Sequence, residues 1–458
     1  MSKETTSLFI RGGHIIDSSQ GVDQIGNLLI SQGKLIHMGG KLPTVIANEA
    51  KQSVVLDATG LVICPGFVDL HCHLREPGFE DKETIATGTK AAAIGGFTTV
   101  CCMANTEPPL DNAAAVDWVK RKVRKESLVD VLPTGCITKG RKGEELTDMT
   151  ELAEAGVVAL SDDGDPVASS QLMRRAMECS RELGLTIIDH CEDKGLSDNG
   201  IINEGKMSAK LVLKGIPAAA EEVVVARDLI LARLTKARLH IAHVSTKGSV
   251  ELIRRAREEG ASVTAEVTPH HLTLTEDRIE RKRPDKSFDA NAKVNPPLRT
   301  REDVQALIQA LKDGIIDAIA TDHAPHTLAD KNCGPALAAF GISGLETAFG
   351  CLMGLVHQGE ISLTQLISKL TCEPAKVIAR NGELGTLKIG APANITILDP
   401  DRGWIVDSHD FASKGKNTPY DGCRFRGKVM ATIANGRIAY IDRSLVVTRN
   451  EVTKESYG

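Results

Sequence analysis

Residues 67–78 read FVDLHCHLREPG, an apolar run carrying two histidines one residue apart, followed by an arginine. Side chains of an extended strand alternate between faces, so His71 and His73 project together while Cys72 projects the other way. That spacing suits the two imidazoles to a shared metal and takes the thiol between them out of reach. Arg75 has the same parity if the strand stays extended. A permanent cation beside a dication site calls for an anion that arrives later, unless the histidines hold no metal. The fold to which the strand belongs bears on that choice.

Seven more apolar, β-branched runs follow: FTTVCCMAN (97–105), VDVLPTGCI (129–137), VVALSDD (157–163), LTIIDHC (185–191), LHIAHVS (239–245), SVTAEVTPH (262–270) and DAIATDH (317–323). Helical patterns lie between them, among them AAAVDWVKRKVRK (113–125), SSQLMRRAMECSREL (169–183), AEEVVVARDLILARL (220–234) and GSVELIRRAREEG (248–260). Eight such units predict an α/β fold, a TIM-type (β/α)8 barrel, with a doubly wound open sheet as the alternative. Asn105, Asp163, His190, His243, His271 and Asp322 stand at or just beyond the C-terminal end of a run. In a barrel those ends share one face, where barrel enzymes keep their chemistry.

The flanks have another texture. SLFIRGGHIID, GNLLISQGKLIHMGG and SVVLDATGLVICPG open the chain, and ANITILDPDRGWIV and GKVMATIANGRIAYID come late. All are short β-prone runs bounded by glycine-rich turns. They predict one small β-sandwich domain made from residues 1–64 and 376–458, enclosing a barrel of 65–375.

Composition narrows the classes of function. Hydrophobic content of 42% and charged content of 25% are those of a globular enzyme-sized chain. A net charge of −5 supplies no basic field for nucleic acid, and two tryptophans give no stacking platform for bases. The run WVKRKVRK (118–125) reads as the solvated face of an outer helix. No apolar run reaches membrane-spanning length and MSKETTSLFI lacks a signal-peptide core, so a cytoplasmic protein is expected. Eleven scattered cysteines without a CxxC pair read as reduced, mostly buried thiols.

His71, His73, Asp163, His190, His243 and Asp322 supply six candidate ligands from five strands, enough for two metals if one carboxylate bridges. Zinc is the default for such ligands, although manganese, cobalt or iron would accept them. Composition alone does not separate Asp163 from Asp162. His270, His271 and His323 read as hydrogen-bonding residues around the site.

Several phrases together carry a resemblance. DLHCHLREPG, HCED (190–193), AHVST (242–246), NPPLR (295–299) and TDHAPH (321–326) are similar to those of the amidohydrolase superfamily and, more narrowly, of the bacterial type I dihydroorotases. ITKGRKGEEL (137–146), SDDG (161–164) and FGISGLETAF (340–349) extend the likeness. It implies two zinc ions per subunit and reversible closure of N-carbamoyl-L-aspartate to L-dihydroorotate, through metal-bound hydroxide and an aspartate proton shuttle. By match, His71 and His73 serve the first metal and His190 and His243 the second. Asp163 bridges them, where many relatives carry a carboxylated lysine. Asp322 matches the residue that both ligates and shuttles the proton. Arg75, Asn105, Asn295 and His326 match substrate contacts, with the backbone of Phe340 and Gly341 closing on the ring. Homodimerisation and association with aspartate transcarbamoylase are the partners the likeness suggests, beyond a small-molecule substrate.

Two departures stand out: Ala104 where the family often has proline, and a loosely matched segment at 328–339. Allantoinases and hydantoinases share DLHCH, and Arg75, Asn295 and Asp163 are the discriminators. A catalytically dead scaffold would have lost ligands, yet all six positions are filled. The competing role for Arg75 is a salt bridge to Glu76 or Glu80; for Asn105 and Asn295 it is a turn or cap.

Overall fold

The computed structural model describes residues 7–41, 53–280 and 288–449. Five strands precede the barrel: β1 (Leu8–Asp17), β2 (Val22–Ser31), β3 (Lys34–Gly39), β4 (Val54–Asp57) and β5 (Val62–Pro65). The barrel begins with β6 (Phe67–Cys72), β7 (Phe97–Cys102), β8 (Asp130–Gly135), β9 (Ala159–Leu160) and β10 (Thr186–Asp189). A small ribbon, β11 (Ile202–Asn203) with β12 (Gly215–Ile216), interrupts it before β13 (Leu239–Ile241), β14 (Val263–Val267) and β15 (Ala318–Ile319). Four strands follow: β16 (Ile395–Ile405), β17 (Arg424–Ala434), β18 (Arg437–Ile441) and β19 (Val447–Arg449).

The eight predicted runs form the parallel order β6-β7-β8-β9-β10-β13-β14-β15. The open-sheet alternative fails because β6 meets the segment just beyond β15. Cys72 and His323 form a parallel bridge, and the His73 amide donates to the His323 carbonyl at 2.8 Å. Asp69 in β6 reinforces the seam, accepting from the Thr321 amide at 2.8 Å and the Thr321 hydroxyl at 2.6 Å. Helices Ala113–Glu126, Ser170–Leu183, Ala219–Thr235 and Lys247–Glu258 occupy the predicted segments within two residues. Arg121, Arg124 and Lys125 are exposed on the first of these while Val116 and Val119 face the core, as a solvated basic face requires.

Several strands are shorter than their sequence runs, and β9 and β15 span two residues each. The polar residues at the strand ends leave the ladder. His243 (φ 32°) and Asp322 (φ 45°) are left-handed, a conformation no strand accommodates.

The chain ends do pair. β16 runs antiparallel to β5 with Ile397 opposite Ile63, and β19 antiparallel to β4 with Val447 opposite Leu56. The small β domain is one sheet folded over at a bulge in β1. Before the bulge Leu8 aligns with Val54 of β4, and after it His14 aligns with Val62 of β5. Gly13 sits at that fold, where a Cβ would lie 2.4 Å from Ile63 Cδ1. Ile10, Ile15, Leu28, Ile63, Ile395 and Ile433 pack inside it. Among the described residues no helix is long and apolar enough to cross a membrane.

The seam yields the first test. Asp69→Leu strands two buried donors of Thr321 and should cost about 2–3 kcal/mol in denaturant unfolding, whereas Asp69→Asn, which keeps an acceptor, should cost about 1 kcal/mol or less.

Candidate active site

Six side chains from five strand ends converge at the barrel mouth. His71 Nε2 lies 3.2 Å from Asp163 Oδ1, and His73 Nε2 lies 3.6 Å from Asp163 Oδ2 and 3.1 Å from Asp322 Oδ1. On the other side of Asp163, His190 Nδ1 and His243 Nε2 stand 3.7 and 3.6 Å from Oδ1 and 2.9 Å from each other. Two groups of potential ligands result, His71–His73–Asp163 and Asp163–His190–His243, with Asp163 common to both. Asp162 is turned away. Its carboxylate accepts from the amides of Ile137 (2.8 Å) and Thr138 (3.1 Å) and pins the loop after β8.

The remaining nitrogens of three imidazoles show what the cluster is built for. His71 Nδ1 meets Glu266 Oε1 at 3.2 Å, His73 Nδ1 meets Asn105 Oδ1 at 2.9 Å, and His190 Nε2 meets Glu192 Oε2 at 3.0 Å. Each oxygen accepts the ring proton, so each ring turns a lone pair inward. Left bare, those lone pairs face carboxylate oxygens of Asp163 and Asp322 at His71 and His73, and His243 Nε2 at His190, a repulsive contact unless a proton or a metal ion lies between. Among the described residues His71 Nε2 is buried with no well-aligned hydrogen-bond partner, although Asp163 Oδ1 lies 3.2 Å away. The donor set, four imidazoles and two carboxylates, suits a metal with nitrogen and oxygen preference.

Charge follows the same logic. Burial opposes the ionised form of Asp163 and Asp322, yet the surrounding histidines hold both well below the usual carboxylate range. Burial also opposes a charge on His71, but Asp163 and Glu266 hold its pKa well above the ordinary value. For His73 burial prevails and lowers it. Glu266 stays ionised: burial is outweighed by His240 and His71, which bring it to about 2.

A cavity of ≈ 420 Å³ opens over the cluster, lined by His73, Asp163, His190, His243 and Asp322 and by Arg75, Asn105, Asn295, His326, Phe340 and Gly341. His71 lies beneath it, fully buried. Arg75 arrives there by a different route from the one expected. β6 ends at Cys72, and Arg75 turns in with φ 62°, so strand parity does not place it. Its Nε donates to the Pro325 carbonyl at 3.3 Å and its Nη2 is 3.2 Å from His326 Nε2. The salt bridge to Glu76 or Glu80 does not form. Glu76 pairs with Lys122 at 3.1 Å and Glu80 accepts from the Gly78 amide at 3.0 Å.

The two asparagines are tied into the cluster as well as facing the cavity. Asn105 Nδ2 donates to Asp163 Oδ2 at 3.3 Å, and Asn295 Nδ2 donates to Glu192 Oε2 at 2.9 Å. His271 bonds Thr268 and the Pro296 carbonyl, and His323 accepts from the Gly344 amide and approaches Glu83. Among the described residues His270 Nε2 is buried without a hydrogen-bond partner.

Residues 60–249 match a family model described as dihydro-orotase-like, and residues 216–440 match one described as amidohydrolase family. The dihydroorotase of Thermoanaerobacter sp. (strain X514) is 51% identical over 434 residues, which cover 94% of this chain and 97% of that protein. The chain belongs to the dihydroorotase family. Another of its dihydroorotase relatives, from Geobacter metallireducens, is 47% identical over 95% of this chain and 99% of its own. Among solved structures, the L-hydantoinase (dihydropyrimidinase) of Arthrobacter aurescens superposes with a TM-score of 0.83 at 26% identity, covering 97% of this chain and 98% of its own. The dihydropyrimidinase of Brevibacillus agri does so with a TM-score of 0.83 at 24% identity, over 97% of both chains, which shows the shared fold. Like the amidohydrolases, this dihydroorotase-family member is a metal-dependent hydrolase of cyclic amides, and its two side-chain groups could hold the metal.

Sequence reasoning missed the carboxylates behind the histidines. Glu266 sits in β14 between His71 and His240, whose Nε2 is 3.1 Å from Glu266 Oε2. Glu192 accepts from His190, Asn295 and Lys194. A lone glutamate inside the apolar run SVTAEVTPH was the available signal for Glu266; HCED held the signal for Glu192.

Asp163→Asn removes the carboxylate common to both groups and should lower bound metal, measured by inductively coupled plasma mass spectrometry, well below wild type. Asp162→Asn should leave metal content unchanged.

Proposed function

We propose that this protein is a dihydroorotase, interconverting L-dihydroorotate and N-carbamoyl-L-aspartate. The observation that carries this is the juxtaposition of a doubled histidine–carboxylate cluster with Arg75, a guanidinium facing the same cavity with no carboxylate at ion-pair distance among the described residues. The 51% identity to a dihydroorotase over nearly the whole chain supports it.

His71, His73 and Asp322 would hold one zinc ion, His190 and His243 a second, with Asp163 between them. Bound there, zinc supplies Lewis acidity toward the ring amide carbonyl and toward the attacking water. Arg75 presents a planar fork to the substrate carboxylate. Asn105, Asn295 and His326 complete the polar wall, and the Phe340–Gly341 backbone lies against the ring. Asp322, kept ionised by its histidine neighbours, takes the proton of the attacking water and delivers it to the departing ring nitrogen. Closure of the ring runs the same proton path in reverse.

All eleven cysteines are free, which supports a reducing, cytoplasmic setting. The same family reading suggests a homodimer and association with aspartate transcarbamoylase, both measurable by analytical ultracentrifugation.

Purified protein should convert dihydroorotate to carbamoyl-aspartate, lose activity on chelation and regain it with zinc. Faster turnover of allantoin or a 5-substituted hydantoin would reverse the assignment. Asp322→Ala should lower kcat by about 10²–10⁴ with KM little changed. Arg75→Met should act mainly on KM, raising it roughly tenfold or more; an unchanged KM would sink the carboxylate clamp.

A further inference from the structure

The segment from Thr327 to Ile342 brings Phe340 and Gly341 to the cavity wall with few apolar anchors. Leu328 and Leu337 are 70% and 78% exposed, so side-chain burial does little to hold it. Two buried ammonium groups do that instead. Lys331 Nζ donates to the carbonyls of Ala339 (2.7 Å), Gly341 (3.0 Å) and Lys293 (3.4 Å). Lys293 Nζ donates to those of Pro335 (2.9 Å) and Ala336 (3.3 Å), and lies 4.3 Å from the centroid of the Phe340 ring.

Both lysines are withdrawn from water, with exposures of 3% and 1%. Among the described residues neither meets a carboxylate at ion-pair distance. Asp289 and Asp330 act on Lys331 only from further away, and Lys293 opposes its charge. Burial pushes Lys331 down to about 7 and Lys293 down to about 8. An ammonium so placed is costly unless its hydrogen bonds are satisfied. Loop carbonyls satisfy them here.

The same peptide is gripped from its other sides. The Gly341 amide donates to the Lys293 carbonyl at 2.9 Å, and Asn417 Nδ2 donates to the carbonyls of Gly341 and Ala324, each at 3.0 Å. His326 Nε2 donates to the Phe340 carbonyl at 2.8 Å. Gly341 has φ 139°, and a Cβ there would lie 2.6 Å from the Ala324 Cβ.

We propose that Lys331, assisted by Lys293, is a positioning residue that fixes the Phe340–Gly341 backbone at the cavity wall and thereby sets affinity for the substrate ring. Among the described residues Lys331 Nζ bonds to backbone carbonyls alone, so it acts through this strap of residues 327–342 and not on the reacting atoms. The proposal rests on the reading of Phe340 and Gly341 as substrate contacts.

Lys331→Met tests it by steady-state kinetics with dihydroorotate, metal content, and amide hydrogen exchange across residues 335–343. KM should rise roughly tenfold, as expected for loss of charge-assisted hydrogen bonds. kcat should stay within about threefold, with metal content unchanged and exchange in the strap faster. Lys331→Gln, which keeps two donors, should recover part of the loss. Lys293→Met, expected to show the same pattern more weakly, serves if Lys331→Met does not fold. Unchanged KM, or a fall in kcat and metal content instead, overturns the positioning role. Exchange equal to wild type overturns the anchoring itself. Wild-type protein that fails to turn over dihydroorotate overturns the substrate reading, and the exchange result then still decides the anchoring.

Discussion

Lone pairs facing lone pairs are the constraint on which the barrel mouth depends. Glu266, Asn105 and Glu192 each accept a ring proton from the outward side of His71, His73 and His190. The inward nitrogens of His71 and His73 therefore point at the oxygens of Asp163 and Asp322, and that of His190 at His243 Nε2, contacts that need a proton or a metal ion between them. In a buried, low-dielectric site that contact is unfavourable until positive charge enters it. The cluster is thus built to take up positive charge, as a proton on His71 or as a metal ion, and the hydrogen bonds behind it keep the inward nitrogens aimed at it.

Barrel closure and site assembly are the same event. β6 meets the segment that follows β15 through the Cys72–His323 bridge and the Asp69–Thr321 hydrogen bonds. His71 and His73 stand on one side of the seam and Asp322 on the other. Immediately beyond the ladder the chain turns left-handed at Arg75, and likewise at His243 and Asp322. Conformations of this kind cost of order 1–3 kcal/mol each and persist where packing over-determines them. Here they redirect side chains that an extended strand would send elsewhere.

Around this centre the protein uses two kinds of support. The histidines stand within or just beyond strand ends, and His71 and His190 are buttressed by the buried carboxylates of Glu266 and Glu192. The cavity rim beyond β15 is loop, and its conformation depends on buried cations donating to carbonyls in place of an apolar core. The hydantoinases and dihydropyrimidinase that share the fold show that the barrel itself does not select the substrate. At the rim of the cavity Arg75, His326 and the Phe340–Gly341 backbone meet.

Much of this was legible in the chain. Eight apolar runs with polar residues at their C-terminal ends encode a parallel barrel because strand and helix periods are local properties, and the texture of the two ends encodes their shared sheet. The projection of His71 and His73 to one side follows from pleat geometry over three residues. Other features depend on contacts between residues far apart in sequence. Asp163 and Asp162 differ only in which way a loop turns, and tertiary hydrogen bonds to Ile137 and Thr138 decide it. Glu266 stands behind His71 across nearly two hundred positions, as the barrel register dictates. Arg75 reaches the cavity through a left-handed turn that strand parity does not predict. The sequence by itself determined the residue types and the elements that carry them, because those are set by near neighbours along the chain. The tertiary structure alone decided which nitrogen faces inward, which carboxylate is shared and what holds the rim, because each is set by partners that only the closed barrel brings within reach.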